Sequence, residues 1–280
     1  MKPAAFAYHA PRTVDELLTL LAEHGEDGKI LAGGQSLVPM MNFRLARPSR
    51  LFDLNGIAEL DYLKSDASRM RIGALARHAA FHRPVAAGPT GKLLAAVVKH
   101  IAHYPIRQRG TFAGSLAHAD PAAEWCAVAR TLEAEIVAKS HRGERVLKAA
   151  DYFRGIFATA LEPDELITEV RLPLLDSSWR TGFYEFSRRA GDFALAMTVV
   201  ALRTDGKKIT EARIAIGGVE DRPLRCTQAE AVLVQGGSAA DAAQAVSARV
   251  NPMEDIHADA PYRRDLVRAT TLRALEQALA

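Results

Sequence analysis

The sequence predicts an α+β protein in which an α/β half is followed by consecutive strands and a helical tail. Three observations carry that prediction. Up to about residue 172, short apolar runs alternate with helical patterns. From residue 183, three strand-like runs follow one another, with Asp205-Gly206 as a tight turn between the last two. Beyond residue 226 the chain is alanine-rich and helical in pattern. Strands and helices segregated in this way fit α+β better than one doubly wound sheet. Pro173, Asp176, Ser177 and Ser178 interrupt the pattern and mark the boundary between the halves.

The elements read in order as follows. An extended segment through Phe6 and Tyr8 leads to Thr13, which with Glu16 forms a capping-box pattern. The helix it opens has Leu17, Leu18 and Leu21 on its apolar face and stops at Gly25. Lys29-Ile30-Leu31 is a short strand broken by Gly33-Gly34, and Leu51-Phe52-Asp53-Leu54 completes a βαβ-like unit. Residues 69–75 read as a strand, and 91–103 as a helix carrying Leu93, Leu94, Val97, Val98 and Ile101. A glycine-rich loop at 110–116, a helix over 121–132, a hairpin over 135–147 and a strand over 166–172 follow. Residues 183–189, 194–204 and 208–217 supply the three later strands.

Composition removes several functions. With 36 Lys+Arg against 33 Asp+Glu, the net charge is only +3 and no basic run forms a nucleic-acid surface. No apolar stretch approaches the ~20 residues that span a bilayer, and the first residues lack a signal core, so the expectation is a cytoplasmic protein without a transmembrane segment. Cys126 and Cys226 are the only cysteines. They make neither a disulfide framework nor the four thiolates of an iron–sulfur cluster, and read as small buried hydrophobes.

Two glycine segments hold most of the chemistry: Ala32-Gly33-Gly34-Gln35-Ser36 after a strand, and Gly110-Thr111-Phe112-Ala113-Gly114-Ser115 after a helix. Such segments let backbone N–H groups converge on an anion, and Ser36, Thr111 and Ser115 offer hydroxyls. Each alone also fits a tight turn between packed elements. Neither is GxGxxG or GxxxxGK[ST], so Rossmann and P-loop readings fail. His78/His82 and His100/His103 sit at helical spacing, but no HExxH or acidic third ligand accompanies them, and no metal site is expected. No GxSxG marks a nucleophilic serine. Arg188-Arg189-Ala190-Gly191-Asp192-Phe193-Ala194 is either a charged turn with a core Phe or a site offering guanidinium groups and a flat ring.

The order AGGQSL at 32–37, IRxxGTxxGSLAxADPxxE at 106–124, LEPDELITEVRLP at 161–173 and RRAGDFA at 188–194 resembles the FAD-binding medium subunit of molybdenum hydroxylases, the carbon monoxide dehydrogenase and xanthine dehydrogenase type enzymes. The resemblance covers essentially the whole chain. It implies an FAD-binding fold of the vanillyl-alcohol-oxidase/p-cresol methylhydroxylase type over residues 1–175, with subdomains of about 1–57 and 58–175. A C-terminal domain over 178–280, a three-stranded antiparallel sheet plus helices, would follow. It also implies no catalytic residue in the ordinary sense and a cofactor-binding set. Lys29, Ile30, Leu31, Ala32, Gly33, Gly34, Gln35, Ser36 and Leu37 would form the first loop, with Gly110, Thr111, Ala113, Gly114 and Ser115 in the second. Ile101, His118, Asp120 and Glu124 would line the site, Leu161 would be an apolar contact, and Arg188 and Phe193 would lie near the flavin.

The sequence departs from the family in places. The second loop usually reads TxGGN, so Ala113 must adopt a glycine-compatible backbone, at about 1 kcal/mol, or pack differently. Ser115 keeps a hydroxyl, Gln35 replaces a His of some relatives, and Phe193 stands where Tyr is common. The implied partners are a molybdopterin-binding large subunit and a small subunit with [2Fe–2S] clusters, arranged as a dimer of heterotrimers. Two other readings stay open: a self-sufficient FAD-dependent oxidase or reductase, and a degenerate scaffold subunit.

Overall fold

A computed structural model describes residues 1–280. The chain begins with β1 (Ala7–His9), α1 (Val14–His24), β2 (Gly28–Leu31), α2 (Leu37–Asn42) and β3 (Arg50–Asp53). The three strands form one parallel sheet in the order β1-β3-β2. Val14, Leu17, Leu18 and Leu21 bury the inner face of α1. The Thr13 hydroxyl accepts the Glu16 N–H at 3.2 Å, but the return bond of the expected capping box is displaced by one residue. The Glu16 carboxylate accepts from the Arg12 N–H instead, at 2.7 Å.

The middle region runs through β4 (Leu63–Ser65), β5 (Arg69–Gly73), α3 (Gly88–Val97), α4 (Tyr104–Arg107), α5 (Phe112–His118), α6 (Glu124–Thr131), β6 (Glu135–Ser140) and β7 (Gly143–Lys148). It closes with α7 (Ala149–Tyr152), β8 (Phe153–Gly155), β9 (Ala158–Thr159) and β10 (Leu166–Pro173). Its main sheet is antiparallel, in the order β4-β5-β10-β6-β7. Two expectations change here. The helix read over 91–103 ends at Val97, where the bonding tightens to i→i+3 (Lys99 to Ala96, His100 to Val97, Ile101 to Val98); Ala102 then turns to φ 41° and a new turn of helix starts after His103. The loop read over 110–116 is largely helix: Thr111 caps α5, its hydroxyl accepting the Gly114 N–H at 3.0 Å.

The last region contains β11 (Trp179–Phe186), β12 (Ala196–Asp205), β13 (Lys208–Gly217), β14 (Leu224–Arg225), α8 (Thr227–Val234), α9 (Ala239–Arg249) and α10 (Ala260–Leu279). The strands lie antiparallel in sequence order, so a two-residue edge strand joins the three expected ones. Gly206, at φ 57°, opens the tight turn between β12 and β13. The strand period of two sorts β12 between two cores. Met197, Val199 and Ala201 join the core of the first two regions, whereas Ala196, Val200 and Leu202 face a second core with Leu266, Val267, Ala274 and Leu275 of α10. A Cβ on Gly182 would collide with the Ala274 carbonyl oxygen, so glycine is what lets α10 lie close on β11. No helix is long and apolar enough to cross a membrane.

Candidate functional site

The first glycine segment leaves β2 at Leu31 and turns into α2 at Leu37. Gly34 has φ 69°, a left-handed conformation that favours glycine. The N–H groups of Gly33, Gly34, Gln35 and Ser36 donate to no acceptor in the chain. Gly33 is buried, Gly34 and Ser36 are half-buried and Gln35 is exposed, so the run offers consecutive free donors to an anion approaching from solvent. The Gln35 side chain folds back and donates to the Gly33 carbonyl at 2.9 Å, which braces the turn. The Ser36 hydroxyl caps nothing within the chain.

The second segment lies directly against the first. A Cβ on Gly33 would collide with the Arg109 carbonyl oxygen and come 2.6 Å from Gly110 Cα, so the two backbones touch. Thr111 and Ala113 likewise keep N–H groups without an acceptor in the chain. Gly114 is required by the cap itself, because its Cβ would stand 2.6 Å from Thr111 Oγ1. Ala113 is buried inside α5 with ordinary helical backbone. Of the two outcomes expected there, a glycine-like backbone or a different packing, the strained backbone does not arise, because a helical position suits alanine well.

Residues that the sequence reading missed tie the two segments together. Asn55 donates from Nδ2 to the Ala32 carbonyl at 3.0 Å and accepts from Arg77 Nη2 at 2.5 Å, while Arg77 Nη1 donates to the Arg109 carbonyl at 2.5 Å. Arg77 and Thr111 also form a β-bridge. Nothing local in the sequence marks these groups, since the bond crosses three elements. Tyr8 donates to Asp53 at 2.5 Å beside the same turn.

Other predicted residues surround this junction to different degrees. Lys29 and Ile30 pair along β3, with Lys29 exposed and Ile30 packed on the core, so they support the loop from behind. Ile101 is buried, and its carbonyl accepts from Arg107 Nη1 at 2.7 Å. Half-buried His118 stacks on Phe157 at 4.7 Å, and burial lowers its pKa. Asp120 caps the following turn through the Ala122 N–H at 2.9 Å. Leu161 packs against the core edge. The 188–194 segment reaches back across the molecule: a Cβ on Gly191 would stand 2.5 Å from the His103 ring, just before α4. Arg188 pairs with His257 Nδ1 at 2.5 Å, and Phe193 is 71% exposed at the tip.

Glu124, the first residue of α6, is buried, and desolvation pushes its carboxyl up to about 7. Glu185 on β11 has an Oε2 with no partner. Burial first, then the Glu124 charge, push it up to about 9. Nowhere do three His, Cys, Asp or Glu side chains gather as metal ligands. The acceptor-free N–H groups of the two touching segments, with the Arg77 guanidinium beside them, make a surface of the right polarity for an anion such as a phosphate.

Comparison with known proteins agrees with that chemistry. Residues 4–175 match the family described as the FAD binding domain in molybdopterin dehydrogenase. Residues 181–278 match the CO dehydrogenase flavoprotein C-terminal domain. The chain is 40% identical to the 6-hydroxypseudooxynicotine dehydrogenase complex subunit alpha of Paenarthrobacter nicotinovorans, covering 100% of this chain and 96% of that protein. It is 36% identical to the caffeine dehydrogenase subunit beta of a Pseudomonas species, covering 99% and 96%. Carbon monoxide dehydrogenase from Hydrogenophaga pseudoflava contains a chain that superposes with a TM-score of 0.95 at 35% identity, covering 99% of this chain and 98% of that one. Quinoline 2-oxidoreductase from Pseudomonas putida gives 0.91 at 37% identity, covering 100% and 98%.

Proposed function

The chain belongs to the FAD-binding medium subunits of the molybdenum hydroxylases, and from that premise we propose that its two touching glycine segments hold the diphosphate of FAD. The observation behind this assignment is the contact of Gly33 with Gly110, which merges two sets of acceptor-free N–H groups into one cradle. The cradle has no Cβ to obstruct a close-lying phosphate at either glycine.

In this proposal residues 1–57 and 58–175 clasp the cofactor, and residues 178–280 contribute the 188–194 segment. Gly33, Gly34, Gln35, Ser36, Thr111 and Ala113 bind through main-chain N–H groups, with Ser36 and Ser115 adding hydroxyls. Ile101, Leu161 and Phe193 supply apolar surface that excludes water, Arg188 supplies charge, and His118, Asp120 and Glu124 line the approach from α5 and α6. When bound, FAD would supply the electron-transfer chemistry towards an external acceptor. No acid or base of this chain is assigned a proton transfer to substrate.

The electrons would arrive from [2Fe–2S] clusters on a small partner subunit after a molybdopterin-bearing large partner oxidises its substrate. A dimer of such heterotrimers is the expected assembly. Relatives named as a complex subunit and as medium chains support a multi-subunit setting. The reading places the complex in the cytoplasm, where buried free thiols such as Cys126 and Cys226 are ordinary.

The test is flavin content. The purified complex should carry non-covalent FAD whose absorbance bleaches on addition of substrate. A folded, colourless complex would sink the proposal, and turnover by this chain alone would favour a self-sufficient oxidase.

A further inference from the structure

His78 is the one imidazole that sits at the junction of the two glycine segments. Its main-chain N–H donates to the Gly110 carbonyl at 2.9 Å, and a Cβ on Gly110 would come 2.6 Å from both Cδ2 and Nε2 of its ring. Gly110 is also the residue against which Gly33 presses. The ring edge carrying Nε2 therefore lies beneath the point where the two cradles meet.

The proton on that ring has one place to be. Trp125, fully buried against Phe81 and Phe112, donates its indole N–H to His78 Nδ1 at 3.0 Å. An indole nitrogen is a donor only, so Nδ1 must be the unprotonated, accepting nitrogen. Burial, assisted by the nearby Arg107 and Arg77 charges, holds the imidazole neutral by lowering its pKa to about 3. The neutral ring's single proton then resides on Nε2. That nitrogen has no hydrogen-bond partner in the chain, yet it is not among the fully enclosed unpartnered atoms. A donor built this way is committed and lacks its acceptor.

We propose that His78 is a cofactor-binding residue whose Nε2–H, fixed in that tautomer by Trp125, donates to a diphosphate oxygen of FAD where the two glycine segments join. The proposal rests on the FAD reading above and adds to it a side-chain donor that operates uncharged. Trp125 is a positioning residue: it selects the tautomer without touching the cofactor.

Two measurements on the full chain test it. In protein labelled with nitrogen-15 histidine, the His78 Nε2 resonance should show an attached proton with and without FAD and should move as FAD is added. The Nδ1 resonance should stay that of an acceptor. A Nε2 signal indifferent to FAD overturns the proposal. The second compares Trp125→Phe with the double variant His78→Phe/Trp125→Phe, which leaves no stranded indole N–H. Relative to Trp125→Phe, the double variant should bind FAD roughly tenfold to a hundredfold more weakly, the usual effect of losing a donor to a charged oxygen. Thermal unfolding of the two FAD-free variants should nearly coincide. A difference in affinity below about threefold overturns the role of His78 while FAD binding by the wild type keeps the flavin reading intact. Failure of the wild-type chain to take up FAD overturns both.

Discussion

Replacing Gly33 by alanine is the sharpest perturbation of the proposed cradle. The added Cβ would collide with the Arg109 carbonyl oxygen and stand 2.6 Å from Gly110 Cα. Carbon atoms normally pack about 3.5–4.0 Å apart, so the segments must separate by about 1 Å. Every neighbour is main chain, and no rotamer change can relieve the contact. Overpacking of this kind costs about 1–3 kcal/mol. Moving one donor set off the diphosphate removes one or two charge-assisted bonds, each worth about 1.5–3 kcal/mol. FAD should then bind on the order of tenfold to ten-thousandfold more weakly, depending on how many donors disengage. The assay is FAD per chain by absorbance after gel filtration, followed by a flavin-fluorescence titration, with circular dichroism to confirm folding. Gly34→Ala is the comparison. Its Cβ meets the movable tips of Leu31 and Val38 at 3.0 and 3.1 Å, and its φ of 69° adds strain of only about 1–2 kcal/mol. If Gly33→Ala retains FAD with wild-type affinity, or loses less than Gly34→Ala, the contact between the segments is not what holds the cofactor.

Three further outcomes are expected. Thr111→Val should lower the melting temperature by the loss of one helix cap, about 1 kcal/mol, and Gly114→Ala should match it because its Cβ displaces the same hydroxyl; an unchanged melting temperature in both would remove the cap from the account. Glu185 and Glu124 have pKa values raised in the folded state, so each favours folding below the ordinary carboxyl range and loses that contribution as pH rises through about 7 for Glu124 and about 9 for Glu185. Glu185→Gln should therefore flatten the fall in melting temperature between pH 5 and 9, read by calorimetry against wild type, and an identical slope would refute the buried carboxyl. Arg263→Ala should destabilise the C-terminal region by about 2–4 kcal/mol in urea, because Nη1 serves the Leu195 and Gly218 carbonyls, which lose their donor, whereas Asp255, the partner of Nη2, is open to water; a shift under about 1 kcal/mol would show that these groups find other partners.

The fold was legible where local pattern and tertiary demand coincide. Leu17, Leu18 and Leu21 point one way because the helix period puts them there, and the two-residue alternation of β12 needed only two cores to face. The glycine segments were legible as turns, and their family order named a cofactor. What local pattern does not carry is contact between distant segments. Asn55, Arg77 and His78 belong to the junction only because 32–34, 55, 76–78 and 109–112 meet in space. Ala113 escapes strain because the segment is a helix and not an open loop, and the local signal for that is Thr111, a cap three residues before Gly114.

The geometry accommodates the departures of this chain from the family pattern. In the proposed cradle most of the binding would come from main-chain N–H groups, which no substitution removes unless the new side chain moves the backbone. Ala113 in place of glycine leaves its N–H open within α5, and Ser115 in place of an amide leaves the helix intact. The positions that resist change are those where a Cβ meets main chain, Gly33 above all, and those whose side chain stitches the segments, Asn55 and Arg77. A chain built this way gains little from acid or base groups of its own and is suited to hold a redox cofactor rigidly while others supply the electrons. The scarcity of cysteine then has a structural counterpart. Cys126 and Cys226 are spent in the packing of two separate cores, so neither thiol is offered as an iron–sulfur ligand.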